Sequence, residues 1–403
     1  MFSQYFFPEI GATQTRLYTF AAGLAAQGHD VEVICEVPNH PQGVVRPGFG
    51  HRAVDTRRLD GFRVRYVWVR AAPEKTRGTR LAFYGSYAAM AAAVGAAVRR
   101  PDVIFASSPP LPVAVAAAVA AFRHRVPWVM DVRDLWPAAA VAMNELSEGR
   151  ALRAAEALER RLYASASAIT AVTEPFRRYI VERLDKPDKV SVLPNGTTEF
   201  WLSRDVERAR GDLDLPEDRF VWTFAGNVGA AQGLEAAIDA AKLLDDRFQL
   251  LILGDGPARD LLADRARDAP PGAIVLRGQV DAATARRYLR SSDALLVSLA
   301  AHSALASFVP SKLYDYLAVG RPVIVAAAGE PQRIVAEAGA GLPVAPGNPE
   351  ALAASVRRLA DDPDLHERLA QAGSAFAAQN LRDAHVPPLE ALMASVSRNS
   401  NSH

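Results

Sequence analysis

The sequence predicts an α/β protein of two doubly wound domains, and three observations carry that prediction. The first is length: 403 residues exceed what one compact α/β core accommodates and suit two domains of roughly 150–200 residues each. The second is rhythm. Short apolar runs alternate with stretches of helical periodicity, as in a parallel sheet covered on both faces by helices. The third is that the rhythm lapses over the polar, charged residues 194–214 and then restarts. The chain therefore divides into a first α/β domain at 1–196, a linker at 197–213, a second α/β domain at 214–379 and a C-terminal tail at 380–403.

In the first half, Leu17, Phe20, Ala21 and Leu24 recur at helical spacing and Gly28 supplies a stop. Strand-like runs follow at residues 31–34, 63–69, 103–106, 128–130, 169–172 and 190–193. Only 63–69 alternates clearly; the others read as short strands buried on both faces. Helical patterns fall at 151–163 and 175–184. The opening nine residues lack the charged-then-apolar pattern of a leader peptide. A first strand is expected ahead of them, which implies a native start several residues upstream. Residues 81–98 carry no charge and are flanked by Lys75, Arg77, Arg80, Arg99 and Arg100. They are mostly alanine, with Tyr84, Ser86, Tyr87 and two glycines, too weakly apolar for a spanning helix. A core helix with solvated ends is the reading, and a helix lying on anionic lipid the alternative.

The second half predicts strands at 221–225, 250–253, 274–276, 294–298 and 323–326, with helices beginning near Gly233, Ala258, Ala282, Ser311 and Pro331. The tail from Asn380 is polar and is expected to fray. The net charge of +1 gives no global basic field for nucleic acid. The single cysteine, Cys35, excludes a disulfide framework and a cysteine-based metal cluster and fits a reducing, cytoplasmic setting.

Candidate chemistry sits at the carboxyl ends of the predicted strands, where open α/β sheets bind ligands. The loop Gly226-Asn227-Val228-Gly229-Ala230-Ala231-Gln232-Gly233 precedes a helix. Its glycines permit close approach of a phosphate to backbone, and the helix start offers free N–H donors. Gly254-Asp255-Gly256-Pro257 makes a tight turn, and Arg277-Gly278-Gln279-Val280 offers backbone groups to a nucleobase edge. In Pro310-Ser311-Lys312-Leu313-Tyr314-Asp315-Tyr316, Ser311 is placed to cap a helix and Asp315 lies one turn on. Lys312 in that first turn opposes the helix dipole by a few tenths of a kcal/mol, which a negative ligand would explain. The first half adds the loop from Pro8 through Gly11 to Arg16, then Pro38-Asn39-His40-Pro41-Gln42-Gly43, then Asp131-Val132-Arg133-Asp134-Leu135-Trp136-Pro137. Taken singly, each is as readily a turn or a cap.

Taken in order, these motifs resemble glycosyltransferase family 4 (group 1) of the GT-B fold: two Rossmann-like doubly wound domains facing across a cleft. The resemblance extends through Leu193-Pro194-Asn195-Gly196, Val309-Pro310-Ser311-Lys312, Gly339-Ala340-Gly341-Leu342 and Pro346-Gly347-Asn348-Pro349-Glu350. It is strongest to the branch that builds bacterial O-antigen, capsule and exopolysaccharide, the N-acetylfucosaminyltransferase-like enzymes. The resemblance implies transfer of a hexosyl or N-acetylhexosaminyl group from a nucleoside diphosphate sugar, with UDP the expected base, retaining configuration and needing neither metal nor other cofactor. It places the acceptor on the first domain and the donor on the second. Donor binding falls to Gly11, Gly226, Asn227, Gln232, Gly233, Gly254, Gly278, Val280, Ser311, Lys312, Leu313 and Asp315. Asp134, Lys312 and Asp315 become catalytic candidates; His40, Arg133 and Asn195 become substrate-binding ones. Asn195–Gly196 is a candidate hinge for domain closure. Two departures mark a variant donor site. Asn227 and Gln232 stand where many members carry Arg and Lys, and no acidic residue lies between Asp293 and Asp315 to supply the first of the family's paired acids. The acceptor is expected to be a glycan or a lipid-linked sugar, with peripheral contact at the cytoplasmic face of the inner membrane. Two other functions fit the same fold: a sugar-nucleotide 2-epimerase and a noncatalytic binding subunit of a polysaccharide assembly complex.

Overall fold

The structure, a computed structural model, describes residues 1–400 apart from 10, 41, 75, 139–140 and 142–148. Ile10, Pro41, Lys75 and the last three residues of the tail therefore lie outside the described residues. The chain forms two compact units, one of Met1–Asn195 joined by the segment from Arg382 onward, the other Gly196–Leu381.

The first unit runs α1 (Ala12–Ala26), β1 (Glu32–Glu36), β2 (Val54–Leu59), β3 (Phe62–Val67), α2 (Arg77–Ala97), β4 (Ile104–Ser108), α3 (Leu111–His124), β5 (Trp128–Val132), α4 (Arg150–Ser165), β6 (Ala168–Ala171), α5 (Glu174–Leu184) and β7 (Val190–Val192). Its strands order as β2-β3-β1 and β4-β5-β6-β7. Phe2 joins the two sets, bridging in parallel to Ile34 of β1 and to Ala106 of β4. Its N–H donates to Phe105 O at 2.7 Å, and Ile34 N–H donates to Met1 O at 2.9 Å. Every pairing in this sheet is parallel except β2 with β3. That hairpin is absent from the sequence reading. It turns on Asp60-Gly61, both at positive φ (37° and 87°), the conformation a two-residue hairpin favours.

The charge-free stretch 81–98 lies within α2 except for its last residue, Val98, which caps the helix. Tyr87 and Ala91 are fully buried there, and Leu81 is exposed. No helix among the described residues is long and apolar enough to cross a membrane.

The second unit runs β8 (Phe220–Ala225), α6 (Glu235–Lys242), β9 (Phe248–Leu253), α7 (Arg259–Arg265), β10 (Ile274–Arg277), α8 (Ala282–Ser291), β11 (Ala294–Ser298), α9 (Lys312–Val319), β12 (Val323–Ala326), α10 (Glu330–Ala338), β13 (Gly341–Val344), α11 (Pro349–Asp361) and α12 (Pro363–Gln379). Six parallel strands order as β10-β9-β8-β11-β12-β13. Successive strand residues serve opposite layers, as period-two geometry requires. Leu296 packs with Trp222, Leu250 and Ile252 on one face, and Leu295 and Val297 pack with Leu313 and Leu317 on the other.

Two boundary expectations are corrected. The stretch 197–213 is built into the second unit rather than left as a linker. Arg210 is buried there, donating to Ser291 O at 3.0 Å and to Pro216 O and Arg219 O at 2.8 Å, and it pairs with Asp293. As far as Ser400 the tail is ordered rather than frayed. It forms a helix, Val386–Ser400, on the first unit, with Val386 and Leu389 buried. Those two residues sit one helical turn apart, a spacing masked by the polar composition around them.

Candidate functional site

In the second unit, three strand ends bring their loops together. Glycine is required where two of them abut: a Cβ on Gly254, whose φ is 136°, would lie 1.9 Å from Gly226 O. Gly226 N–H donates to Leu253 O at 2.9 Å, Val228 N–H to Asp255 O at 2.9 Å, and Gly254 N–H to Gly278 O at 3.2 Å. Gly226, Asn227, Gly254 and Gly278 are thus one cluster beyond β8, β9 and β10, with Asn227 exposed and Val280 half-buried just after it. The Gln232 side chain accepts from Gly229 N–H at 3.1 Å, so it shapes the loop that contains it. Gly233 closes that loop at φ 57°, where a Cβ would meet Ala300 Cα at 2.8 Å.

Lys312 opens α9 and reaches this cluster. Its Nζ is buried, has no hydrogen-bond partner among the described residues, and lies 3.7 Å from the Phe224 ring centroid. A Cβ on Gly226 would come within 2.5 Å of that Nζ. Burial, with no anion to offset it, brings the Lys312 ammonium down from 10.5 to about 7. Ser311 does not cap α9: its backbone is already helical (φ −55°, ψ −32°), and its side chain makes no capping bond. Leu313 is fully buried in the core, and its N–H donates to Pro310 O at 2.9 Å. Asp315 accepts from Thr197 Oγ1 at 2.9 Å. The sequence reading missed Tyr316. Its hydroxyl accepts from Ala225 N–H at 2.7 Å and donates to Ala225 O at 2.9 Å, pinning α9 to the end of β8 beside Gly226.

In the first unit the organising group is Asp131 at the end of β5, wholly buried. It accepts from Arg16 Nη2 at 3.0 Å, Ser107 Oγ at 2.7 Å and Thr170 Oγ1 at 2.8 Å. Burial alone would raise its carboxyl, but the charge and hydrogen bonds of Arg16 outweigh that and hold it below the usual range. Arg16, also unforeseen, is itself buried and donates to Leu193 O at 2.9 Å and Pro194 O at 2.6 Å. One arginine therefore fixes α1 to the ends of β5 and β7.

Arg133 donates from Nε to Ser107 Oγ at 2.7 Å, from Nη2 to Pro109 O at 3.0 Å, and from Nη1 to Thr13 Oγ1. Burial lowers its guanidinium to about 10. Next to it, Asp134 keeps a buried Oδ1 with no hydrogen-bond partner among the described residues. Burial pushes that carboxyl up to about 6, against the pull of Arg133. Gly11 precedes α1 in extended conformation (φ 171°) and accepts at O from Thr15 N–H at 3.0 Å. His40 is exposed; its N–H donates to Glu9 Oε1 at 2.7 Å, and its ring meets Tyr5 edge-on at 5.1 Å. Asn195 O accepts from Arg382 Nε at 2.9 Å, which ties it to the returning C-terminal segment. Gly11, Arg133 and Asp134 thus gather around the α1 start and the β5 end, while His40 belongs to a separate loop beyond β1.

Residues 11–196 match the glycosyl transferase 4-like domain, and residues 205–376 match the glycosyl transferases group 1 domain. The chain is a glycosyltransferase that joins a glycosyl transferase 4-like domain to a group 1 domain. This transferase is 28% identical over 353 residues to the Escherichia coli K12 glycosyl transferase WcaI, named for colanic acid biosynthesis, covering 83% of this chain and 85% of that one. It is 31% identical over 170 residues to the Rhizobium meliloti lipopolysaccharide core biosynthesis glycosyltransferase LpsD, covering 41% of this chain and 46% of that one. Among solved structures, Anabaena HepE in complex with UDP-glucose superposes with a TM-score of 0.73 at 16% identity over 98% of each chain. The fold of the transferase is GT-B.

Proposed function

We propose that this glycosyltransferase moves a sugar from a UDP-sugar donor, with retention of configuration and without a metal ion, to a polysaccharide or lipid-linked acceptor at the cytoplasmic face of the membrane. The observation that carries the reading is the buried, unpaired Lys312 ammonium beneath Gly226. A cation held out of water with no partner is costly unless an anion arrives. A departing nucleoside diphosphate supplies that anion, and its charge grows as the glycosidic bond breaks. The loop Gly226 to Gly233 and the amino end of α9 add N–H donors from the same side.

Asp315 stands where the family's ribose-binding acid falls, and Thr197 holds its carboxylate. Leu313 and Ser311 contribute through backbone placement only, since one is core and the other makes no cap. In the first unit, Asp134, His40 and Arg133 are the acceptor-side candidates, Arg133 being held by Ser107, Thr13 and Pro109. The acceptor hydroxyl gives its proton to the leaving phosphate in a front-face attack, so no enzymic nucleophile is assigned. The test is product analysis. Purified protein is incubated with UDP-sugars and a polyprenyl-diphosphate-linked sugar acceptor in the presence of EDTA, and the anomeric configuration of the product is read by NMR. An elongated acceptor with the donor's configuration is expected. An inverted product, or turnover that EDTA abolishes, refutes the mechanism. Donor rearrangement without acceptor would instead identify an epimerase, and UDP-sugar binding without turnover a noncatalytic subunit.

A further inference from the structure

We propose that a cavity in the first unit, walled by Tyr5, Asn39, Thr79, Arg80, Phe83 and Tyr84, is a subsite for one pyranose ring of the acceptor. The proposal rests on the assignment of the acceptor to that unit. The cavity has a volume of about 270 Å³, slightly below pockets that take drug-sized ligands. That is room for a single ring. Tyr5 comes from the segment following the Phe2 bridge, Asn39 from the loop after β1, and the remaining walls from the loop after β3 and the first turns of α2.

The walls are fixed before any ligand arrives. A Cβ on Gly43, at φ 71°, would lie 2.1 Å from Ala72 O, so the loops after β1 and β3 touch through backbone. Gly43 N–H donates to Asn39 O at 2.7 Å. Behind the loop, Glu9 accepts from the N–H groups of Asn39 (2.6 Å) and His40 (2.7 Å), and Glu36 accepts from Asn39 Nδ2 at 2.8 Å. Both carboxyl groups are buried and raised by that burial. Thr79 Oγ1 donates to Glu74 O at 2.6 Å, locking the start of α2 against the same rim.

The lining has the chemistry of a sugar site. The Phe83 and Tyr84 rings lie 5.4 Å apart, and Tyr5 stands against the His40 ring. Aromatic faces suit the C–H faces of a pyranose, while the tyrosine hydroxyls, the Asn39 Oδ1 acceptor and the Arg80 guanidinium suit its ring of hydroxyls. An acyl chain would press hydrocarbon against the Tyr5 and Tyr84 hydroxyls and the Arg80 guanidinium without offering any of them a hydrogen bond. A diphosphate would meet the Glu74 carboxylate on the same wall.

Saturation-transfer NMR tests the proposal on the full chain, with the methyl glycosides of glucose, mannose, fucose and N-acetylglucosamine as probes. At least one glycoside is expected to receive saturation at its ring C–H protons. Tyr84→Ala is expected to weaken that binding about fivefold, the scale of one lost ring contact. Ala72→Trp, which fills the cavity from a loop without removing a core side chain, is expected to abolish it. If Tyr84→Ala fails to fold, Ala72→Trp decides alone. No saturation in wild type, or undiminished saturation in Ala72→Trp, overturns the subsite. Thermal stabilisation by UDP is followed in parallel. Glycoside binding without any UDP response leaves the subsite standing and sinks the donor assignment.

Discussion

Replacing Lys312 with methionine keeps a chain of similar length over Phe224 and removes only the charge. The displacement of the ammonium from 10.5 to about 7 corresponds to roughly 5 kcal/mol at 1.36 kcal/mol per unit. That is an upper bound, because the lysine stem can turn its head toward water. A gain of about 2 kcal/mol in the ligand-free protein is the working expectation, or about 4–8 °C in Tm for a unit of this size. The sign follows from proton counting. Between about 7 and 10.5 the native state binds fewer protons than the unfolded chain, so wild-type stability rises with pH across that window. Below about 7 the destabilisation is complete and constant. Lys312→Met should therefore exceed wild type most at pH 6 and converge with it as pH approaches 10.5. With UDP-sugar the order reverses. Wild type filled to 100 times its dissociation constant gains about 2.7 kcal/mol, and the variant gains little. Calorimetry at several pH values, with and without donor, reads both effects. A variant less stable than wild type at pH 6, or one equally stabilised by donor, refutes the reasoning.

Other expectations follow from the same geometry. Asp134→Asn should raise the acceptor KM about tenfold, the loss of one hydrogen bond to a charged group, and the wild-type acceptor KM should fall as pH passes about 6, where the carboxyl ionises; an acceptor KM flat across that pH would remove Asp134 from the acceptor site. Because burial raises that carboxyl from 3.8 to about 6, its stabilising contribution is full below the lower value and lost as pH rises through the upper one. Asp134→Asn should accordingly unfold at higher urea than wild type at pH 8. Arg16→Met should destabilise the first unit by about 3–5 kcal/mol, the effect of leaving a buried partner charge uncompensated, read as a lower urea midpoint. Gly254→Ala should cost at least about 2 kcal/mol, since both its φ and the nearby Gly226 O reject a Cβ, and should weaken UDP-sugar binding measured by calorimetry.

The strands were legible because a parallel strand covered on both faces is a short apolar run bounded by turn residues. Predicted runs in both units begin within two residues of the observed strands. Val54–Leu59 escaped because four polar residues, Asp55 to Arg58, separate the two apolar ends of this partly exposed edge strand, although Asp60-Gly61 marked its turn. The loop Gly226 to Gly233 and Lys312 stood out because glycines and a lysine at a helix start have few structural reasons to coincide, and the structure brings them together. Arg16 and Tyr316 were not. Each acts on a residue more than ninety positions away, and nothing local distinguishes a surface arginine from one that holds a buried aspartate. Ser311 misled because capping depends on its backbone angles, which residue type does not fix.

The return of the chain to its first unit has a genetic consequence. The second unit is one uninterrupted segment whose two ends are paired: Thr197 N–H donates to Asn380 O at 3.0 Å, and Thr197 bridges Leu381 in parallel. A gene segment for 196–381 can thus be cut out and replaced through two neighbouring junctions, as a cassette. Recombination between related genes at those junctions would exchange the loops beyond β8, β9 and β10 as one block while leaving the host framework whole. The framework has no such freedom. Its sheet is encoded at one end of the gene and its last helix at the other, so a stop codon ahead of Val386 would strip Leu389 and its neighbours from a core laid down almost two hundred codons earlier.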